Sequence, residues 1–403
     1  MLGDRRFRRF FLGYATSLTG SSPAPVAMTF AVLDVDASPT ALGLVFASGV
    51  VPTIVLLPVG GVLADRVSRR AVMVGADLVC AAAQFLFAVL VVTGTARLWE
   101  LMVPAAVRGG AAAFYQPALS ASVPDLVPVD RLQRANSFLA PAKSVPEVAG
   151  PALAGVLVAV GGSAAVLVID GATYLLGAVF LAGVRVPARA ATARRPSILV
   201  DLREGWDAFR SRRRLWTGIV RPALWNLTVV APFLVLGPVV ARESLGGAWA
   251  WGAISAAQGA GAVLGGLVLL RVRVRRPLVT IVLVQLLWVL PLGFLALRAP
   301  VPVVAVAAFA VGVSSSVFAT LWRTAEQTHV PGDVLSRVTS YELLGAFALG
   351  PVGLAAAGPV AAVVGIGPVL WFAAACQVLT SAVLLLPDVR AVRLDGRSGE
   401  GVG

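Results

Sequence analysis

The side chains of this sequence that could do acid–base or ionic work are few, and several interrupt long apolar stretches. Lys143 and Glu147 stand four residues apart in one such stretch, Arg108 and Asp77 each break another, and Asp170 breaks a fourth. A charge surrounded by lipid costs about 2.5–3.5 kcal/mol on insertion scales, so each of these residues needs a partner or a task. On a helix Lys143 and Glu147 share one face and can pair. That pair is a candidate proton-sensitive site; the other reading is a structural pair near a helix end. Glu147, in mid-stretch, is the first candidate for a proton carrier and Asp170 the second, while Asp77 is expected nearer an interface. Other chemistries lack material. His329 is the sole histidine and is expected in a solvated loop, and Cys80 and Cys376 lie within apolar runs as small packed hydrophobes. Lys143, the only lysine, follows no phosphate-loop pattern, and Gly259-Ala260-Gly261 reads as helix packing rather than a dinucleotide turn. No metal site and no cofactor are expected. An enzyme would need clustered His, Cys or carboxylates near an interface, so none is expected here.

The elements that hold these residues must be membrane helices. Of 403 residues 58% are hydrophobic and 13% charged, with a mean hydropathy of +0.87, against about 25% charge in a soluble domain. A helix crosses the bilayer in about 20 apolar residues. Twelve spans fit: 9–33, 39–64, 71–94, 99–122, 135–160, 163–184, 215–242, 249–270, 278–298, 301–322, 338–364 and 367–387. The net charge of +13 sits mostly in short loops of one parity, where topology explains it better than nucleic acid does. Those loops hold Arg66, Arg69, Arg70, Arg131, Arg134, Arg271, Arg273, Arg275, Arg276 and Arg337; the opposite loops hold Arg97, Arg242 and Arg298. Both termini are then expected in the cytoplasm. No cleavable signal peptide is evident after Arg5, Arg6, Arg8 and Arg9.

The expected organisation is an N-terminal six-helix bundle (1–184), a cytoplasmic linker with an amphipathic helix carrying Ile198, Leu202, Trp206 and Phe209 (185–214), a C-terminal six-helix bundle (215–390) and a cytoplasmic tail (391–403). The bundles are related. Val127–Ser137 and Val330–Ser340 match at six of eleven positions with an offset of 203. Gly265-Gly266 followed by Arg271 and Arg275-Arg276 echoes Gly60-Gly61 followed by Arg66 and Arg69-Arg70, with Leu270 in the place of Asp65. The fold class expected is therefore all-α integral membrane: twelve transmembrane helices in two pseudo-symmetric six-helix bundles.

The loop Gly61-Val62-Leu63-Ala64-Asp65-Arg66-Val67-Ser68-Arg69-Arg70 closely resembles the signature between helices two and three of the major facilitator superfamily, roughly Gly-x-Leu-x-Asp-Arg-x-Gly-Arg-Arg, with Ser68 in place of the usual glycine. The resemblance implies a cytoplasmic gate of Gly61, Asp65, Arg66, Arg69 and Arg70, with Asp65 facing the start of helix eleven near Ser336–Ser340. Gly150-Pro151-Ala152-Leu153-Ala154-Gly155 resembles the helix-five antiporter motif of drug-exporting members, with Pro146 and Ala154 replacing two of its glycines; Gly150, Pro151 and Gly155 carry it. Pro146 and Pro151 would bend that helix and its small residues would let a partner helix approach. Arg108 resembles the family's buried helix-four arginine that is linked to proton coupling. Together these look like a bacterial drug- and siderophore-exporter subgroup of the enterobactin-exporter or secretion-effector type. The resemblance implies proton-coupled export of a small, largely apolar drug or secondary metabolite by alternating access, in the bacterial cytoplasmic membrane. The implied partners are that substrate, protons and the bilayer, the implied state is a monomer, and no nucleic acid is involved. The candidate cavity residues are Asn136, Trp225, Asn226, Phe233, Gln258, Gln285 and Trp322. An importer or uniporter of the same fold remains open, as do a lipid scramblase and a non-transporting receptor.

Overall fold

The computed structural model describes residues 4–128, 131–184, 222–269, 271, 272, 274, 277–329 and 349–383; for 58, 61–66, 121, 133, 277, 278, 323–329, 382 and 383 it describes the backbone alone. The expected linker, the tail, Ser336–Ser340 and Glu342 lie outside the described residues. All regular structure among the described residues is helical. In chain order the helices are α1 (Arg5–Ser21), α2 (Ala24–Val35), α3 (Pro39–Arg66), α4 (Arg69–Thr93), α5 (Leu98–Leu126), α6 (Leu132–Ala182), α7 (Pro222–Leu245), α8 (Ala248–Leu269), α9, α10 (Val301–His329), α11 (Gly350–Val364) and α12 (Ile366–Val383). The ninth is composite, Pro277–Gln285 and Val289–Ala296 joined by a 3-10 turn at Leu286–Trp288.

Two of these helices depart from the expected spans. The first span is broken: Pro23 has no N–H to continue the ladder, α1 stops at Ser21, and Ser22 Oγ donates to the Thr19 carbonyl at 3.1 Å instead. The fifth and sixth spans are one helical run folded back at Gly162, whose φ of 76° only glycine adopts readily. Among the described residues seven stretches are long and apolar enough to cross a bilayer by themselves, and α6 holds one of 49 residues, length enough for two crossings. His329 closes α10 rather than lying in a loop.

The two ends of the molecule differ. At one end the chain reverses in tight turns at Gly94, Gly162, Gly246-Gly247, Arg298 and Gly365, all with positive φ. At the other, the hinge end, lie the arginine-rich loops. Helices α1–α6 pack on one another, as do α7–α12, and the bundles meet where α3 packs on α11 and α6 on α8. At the glycine-turn end a single apolar core runs through both bundles, from Leu33, Leu42 and Leu101 to Leu236, Leu292 and Leu370. Toward the hinge end the cores separate: Phe7, Phe10, Met73 and Leu181 in the first bundle, Ile281, Val317 and Leu321 in the second. The seam itself is glycine on backbone. Gly43 lies against the Leu354 carbonyl, Gly358 against Thr40, Gly252 against the Pro151 carbonyl and Gly155, and Gly259 against Val148.

Candidate functional site

The first bundle encloses a charged polar cluster. Asp170 of α6 is fully buried. Its Oδ1 accepts from Ser21 Oγ of α1 at 3.0 Å, and its Oδ2 from the Gln84 amide of α4. Seven residues along α4, on the same face, Asp77 is 1% exposed and accepts from Ser17 Oγ at 3.4 Å, enclosed between helices. Arg108 of α5 reaches the Tyr174 hydroxyl of α6 and lies in the field of Asp170 and Cys80, while its buried Nε has no hydrogen-bond partner among the described residues. The buried Tyr115 hydroxyl likewise has none among them. One cation and two carboxylates thus share a setting where an isolated charge is costly.

Lys143 and Glu147 are 3.8 Å apart, as their spacing predicted, but both are about 60% exposed. They stand on the face of α6 that also carries Asn136, and Glu147 acts electrostatically on Tyr14. A cavity of about 310 Å³ opens between α1, α5 and α6, lined by Tyr14, Ser120 and Asn136 among leucines; that volume is at the lower bound of drug-sized ligand sites. The helix-five motif works as a packing surface. Gly150 is pressed against Ser22 at the α1/α2 break, the Pro151 carbonyl meets Gly252, and Gly155 meets the Trp249 backbone.

The second bundle has an uncharged counterpart. Trp225 Nε1 donates to Gln377 Oε1 at 2.8 Å; Gln377 Nε2 donates to the Gln285 carbonyl at 2.8 Å and to Ser381 Oγ at 3.1 Å; Ser314 Oγ donates to Gln285 Oε1 at 3.3 Å. Trp225 and Phe233 both pack edge-on against Trp288. Trp225 and Gln285 therefore turn into the bundle rather than toward a central cavity. Asn226 donates to the Pro222 carbonyl, Gln258 is half-buried where α8 meets α10 at Gly312, and Trp322 stacks on Phe318.

At the hinge, α3 continues to Arg66 and α4 begins at Arg69, so the turn is only Val67-Ser68. Gly61 lies within the last turns of α3, and the side chains of Asp65 and Arg66 are not among those described. Arg69 pairs with Asp125 of α5 at 2.5 Å, inside its own bundle, and Arg70 is half-buried beside it.

A model of the Major Facilitator Superfamily matches residues 10–353. The chain belongs to the major facilitator superfamily. Members of that family are multi-pass membrane transporters of small molecules and not enzymes, and this chain has their twelve-helix, two-bundle architecture. Among curated relatives it is 27% identical to Macrolide efflux protein A of Streptococcus pyogenes over 244 residues, 60% of each chain. It is also 27% identical to Macrolide efflux protein A of Enterococcus faecalis over 201 residues, 49% of this chain and 62% of that one. The match thus spans about 60% of the length of these relatives. Among solved structures, a bacterial homologue of the iron transporter ferroportin in an inward-facing state superposes with a TM-score of 0.75 at 17% identity, covering 94% of this chain and 97% of that one. The nucleoside transporter NupG superposes with a TM-score of 0.70 at 13% identity, covering 94% of this chain and 97% of that one. At these identities they attest the fold alone.

Charge in an apolar run marks Asp170, Arg108 and Asp77 in the sequence. It does not mark Ser17, Ser21, Gln84, Ser314, Gln377 and Ser381. Gln84 and Gln377 are lone amides in otherwise apolar stretches, and reading amides with the same suspicion as charges finds them.

Proposed function

We propose that this chain exports a small, largely apolar compound of the macrolide type from a bacterial cytoplasm, in exchange for protons. It works as a monomer in the inner membrane with both termini inside. Residues 1–184 and 215–390 rock against each other across the glycine seam, 185–214 tether them, and the hinge residues Gly61, Asp65, Arg66, Arg69 and Arg70 gate the cytoplasmic end. The efflux named for the streptococcal and enterococcal relatives favours outward transport. Asn136, with Tyr14 and Ser120, forms an entry wall for the substrate, beside Lys143 and Glu147.

The observation that carries the reading is Asp170, a fully buried carboxylate shared by α1, α4 and α6 beside Arg108. An acid sealed from lipid and bonded to three helices can couple its protonation to helix movement; Glu147, open to its surroundings, is the second candidate. The test is proton flux in proteoliposomes on adding macrolides and other lipophilic compounds, with wild type, Asp170→Asn and Glu147→Gln compared. Substrate-driven flux should fall at least about tenfold in Asp170→Asn, while substrate binding persists. Intact flux in Asp170→Asn and loss in Glu147→Gln moves the proton to Glu147. Higher accumulation in cells that express the protein reverses the direction and makes it an importer.

A further inference from the structure

The two polar clusters occupy matching places in the repeat. Ser21 donates to Asp170 and, 204 residues on, Trp225 donates to Gln377, itself 207 residues beyond Asp170. In each case the helix leaves α geometry at the residue after the donor. Helix α1 ends at Ser21 and turns at Ser22-Pro23, and in α7 a π turn begins at Asn226 and runs to Val230. Each break also rests on a glycine of the opposite limb. Gly150 is pressed against Ser22, and Gly353, 203 residues later, against Leu227. A helix interrupted by proline or a π turn has lost ladder hydrogen bonds and is a natural place to bend. Here each bending point is held by one side chain of a neighbouring helix.

We infer that Asp170 and Gln377 are equivalent pins for these two bending points, and that only the first can be loosened: a proton on Asp170 weakens the hold on the α1/α2 break, whereas Gln377 holds the α7 break at any pH. The chemistry differs at one atom. Ionised Asp170 Oδ1 accepts the Ser21 O–H at 3.0 Å, although the Ser17 carbonyl of the same helix lies 2.7 Å from that hydroxyl. A proton on Asp170 removes the charge that draws the hydroxyl across, so Ser21 donates to Ser17 and the link between helices falls from a charge-assisted bond to a neutral one that Asp170 donates. The amide of Gln377 does not titrate, so Trp225 keeps its acceptor. The groups that face Asp170 are Arg108 from α5, Asp77 and Cys80 from α4, and Tyr174 from α6 itself; α1 presents Ser17 and Ser21 there, and α8 carries no titratable residue. Arg108 is the one cation in this set and Asp77 the second acid.

The loosening has a route outward. Ser22 abuts Gly150, and one residue further the Pro151 carbonyl abuts Gly252 of the second bundle. Movement of the break thus presses on the seam, and Ser21, Gln84 and Gly150 are positioning residues that act through Asp170 and the break.

The inference rests on the reading that Asp170 takes the transported proton, and its test separates the two. Hydrogen–deuterium exchange, corrected for the intrinsic effect of pH, is followed in the full-length protein in nanodiscs for segments 18–30 and 222–235. In wild type, lowering the pH should speed exchange across 18–30 about tenfold, the effect of exchanging a bond to a charged group for a neutral one, and leave 222–235 unchanged. Asp170→Asn should make 18–30 insensitive to pH, and Ser21→Ala should speed it at every pH. Gln377→Glu should make 222–235 respond to pH. A pH response of 18–30 that survives Asp170→Asn, or none in wild type, overturns the inference. So does loss of proton flux in Asp170→Asn with a break that never followed pH, though the export reading then stands. A break that follows pH through Asp170, in a protein with no substrate-driven proton flux, upholds the pins and overturns the export reading.

Discussion

Gly252→Ala offers the most direct measurement of the seam. A Cβ on Gly252 would lie 2.6 Å from the Pro151 carbonyl oxygen and 3.0 Å from Gly155 Cα, where ordinary contact begins at 3.4 Å. Helices α6 and α8 must therefore move apart by about 0.8 Å, and both neighbours are backbone that cannot swing aside. Overpacking of this kind costs about 1–3 kcal/mol, and the cost falls only on the state in which the seam is closed. The gain in helix propensity from Gly to Ala, about 1 kcal/mol, applies to both states and cancels. The ratio of closed to open seam should then fall roughly 5- to 150-fold. Spin labels at Thr95→Cys and Leu297→Cys, in a background without Cys80 and Cys376, report the distance between the bundles at the glycine-turn end. The expected result is a new population at longer distance. The control is Gly75→Ala, because a Cβ there meets nothing within 4 Å. A distance distribution in Gly252→Ala identical to that of Gly75→Ala would refute closure through this contact.

Three other perturbations follow from the same geometry. Arg69→Ala removes a largely buried partner of Asp125 and should lower stability by about 1.5–3 kcal/mol, read as a drop in melting temperature in detergent. Arg242 pairs with Asp34 across the bundles at 3.0 Å, but the two side chains are 35% and 59% exposed. A double-mutant cycle of Arg242→Ala and Asp34→Ala should therefore give a coupling of only about 0.2–1 kcal/mol, and it should fade as salt is raised. Trp225→Phe leaves Gln377 Oε1 buried without its donor and should cost about 1–3 kcal/mol, measured by thermal unfolding; an unchanged melting temperature would mean the indole N–H holds nothing.

The fold was largely legible because its signals are long and redundant. Twelve apolar stretches, the parity of the arginines and the repeat of Val127–Ser137 at Val330–Ser340 all point to one architecture. The break at Ser22 was not read, although Pro23 and Pro25 announce it, because the apolar pattern runs on through them and composition does not register a missing N–H. The site was legible where a residue type is costly by itself. Asp170 and Arg108 had to be explained wherever they pointed. Glu147 stands on the expected helix beside the expected lysine, yet whether a helical residue faces a core or open space depends on neighbours more than a hundred residues away, here Tyr14. For the same reason Trp225 and Gln285, expected at a cavity wall, turn inward to Gln377, whose own position depends on the packing of α12 against α7 and α9.

Glycine against backbone is an unusual material for a joint. Side chains that interdigitate come apart gradually, each sliding from its socket while others still hold. Gly43 on Leu354, Gly358 on Thr40 and Gly252 on Pro151 have no such travel. Their attraction is dispersion at the closest possible range, and a gap of about 0.5–1 Å already forfeits a quarter to a half of it. The joint is thus brittle rather than elastic: held fully or hardly at all, with little resistance once the first ångström is lost. A carrier built this way should snap between its two postures, and half-open forms, which would let ions leak through, should be short-lived.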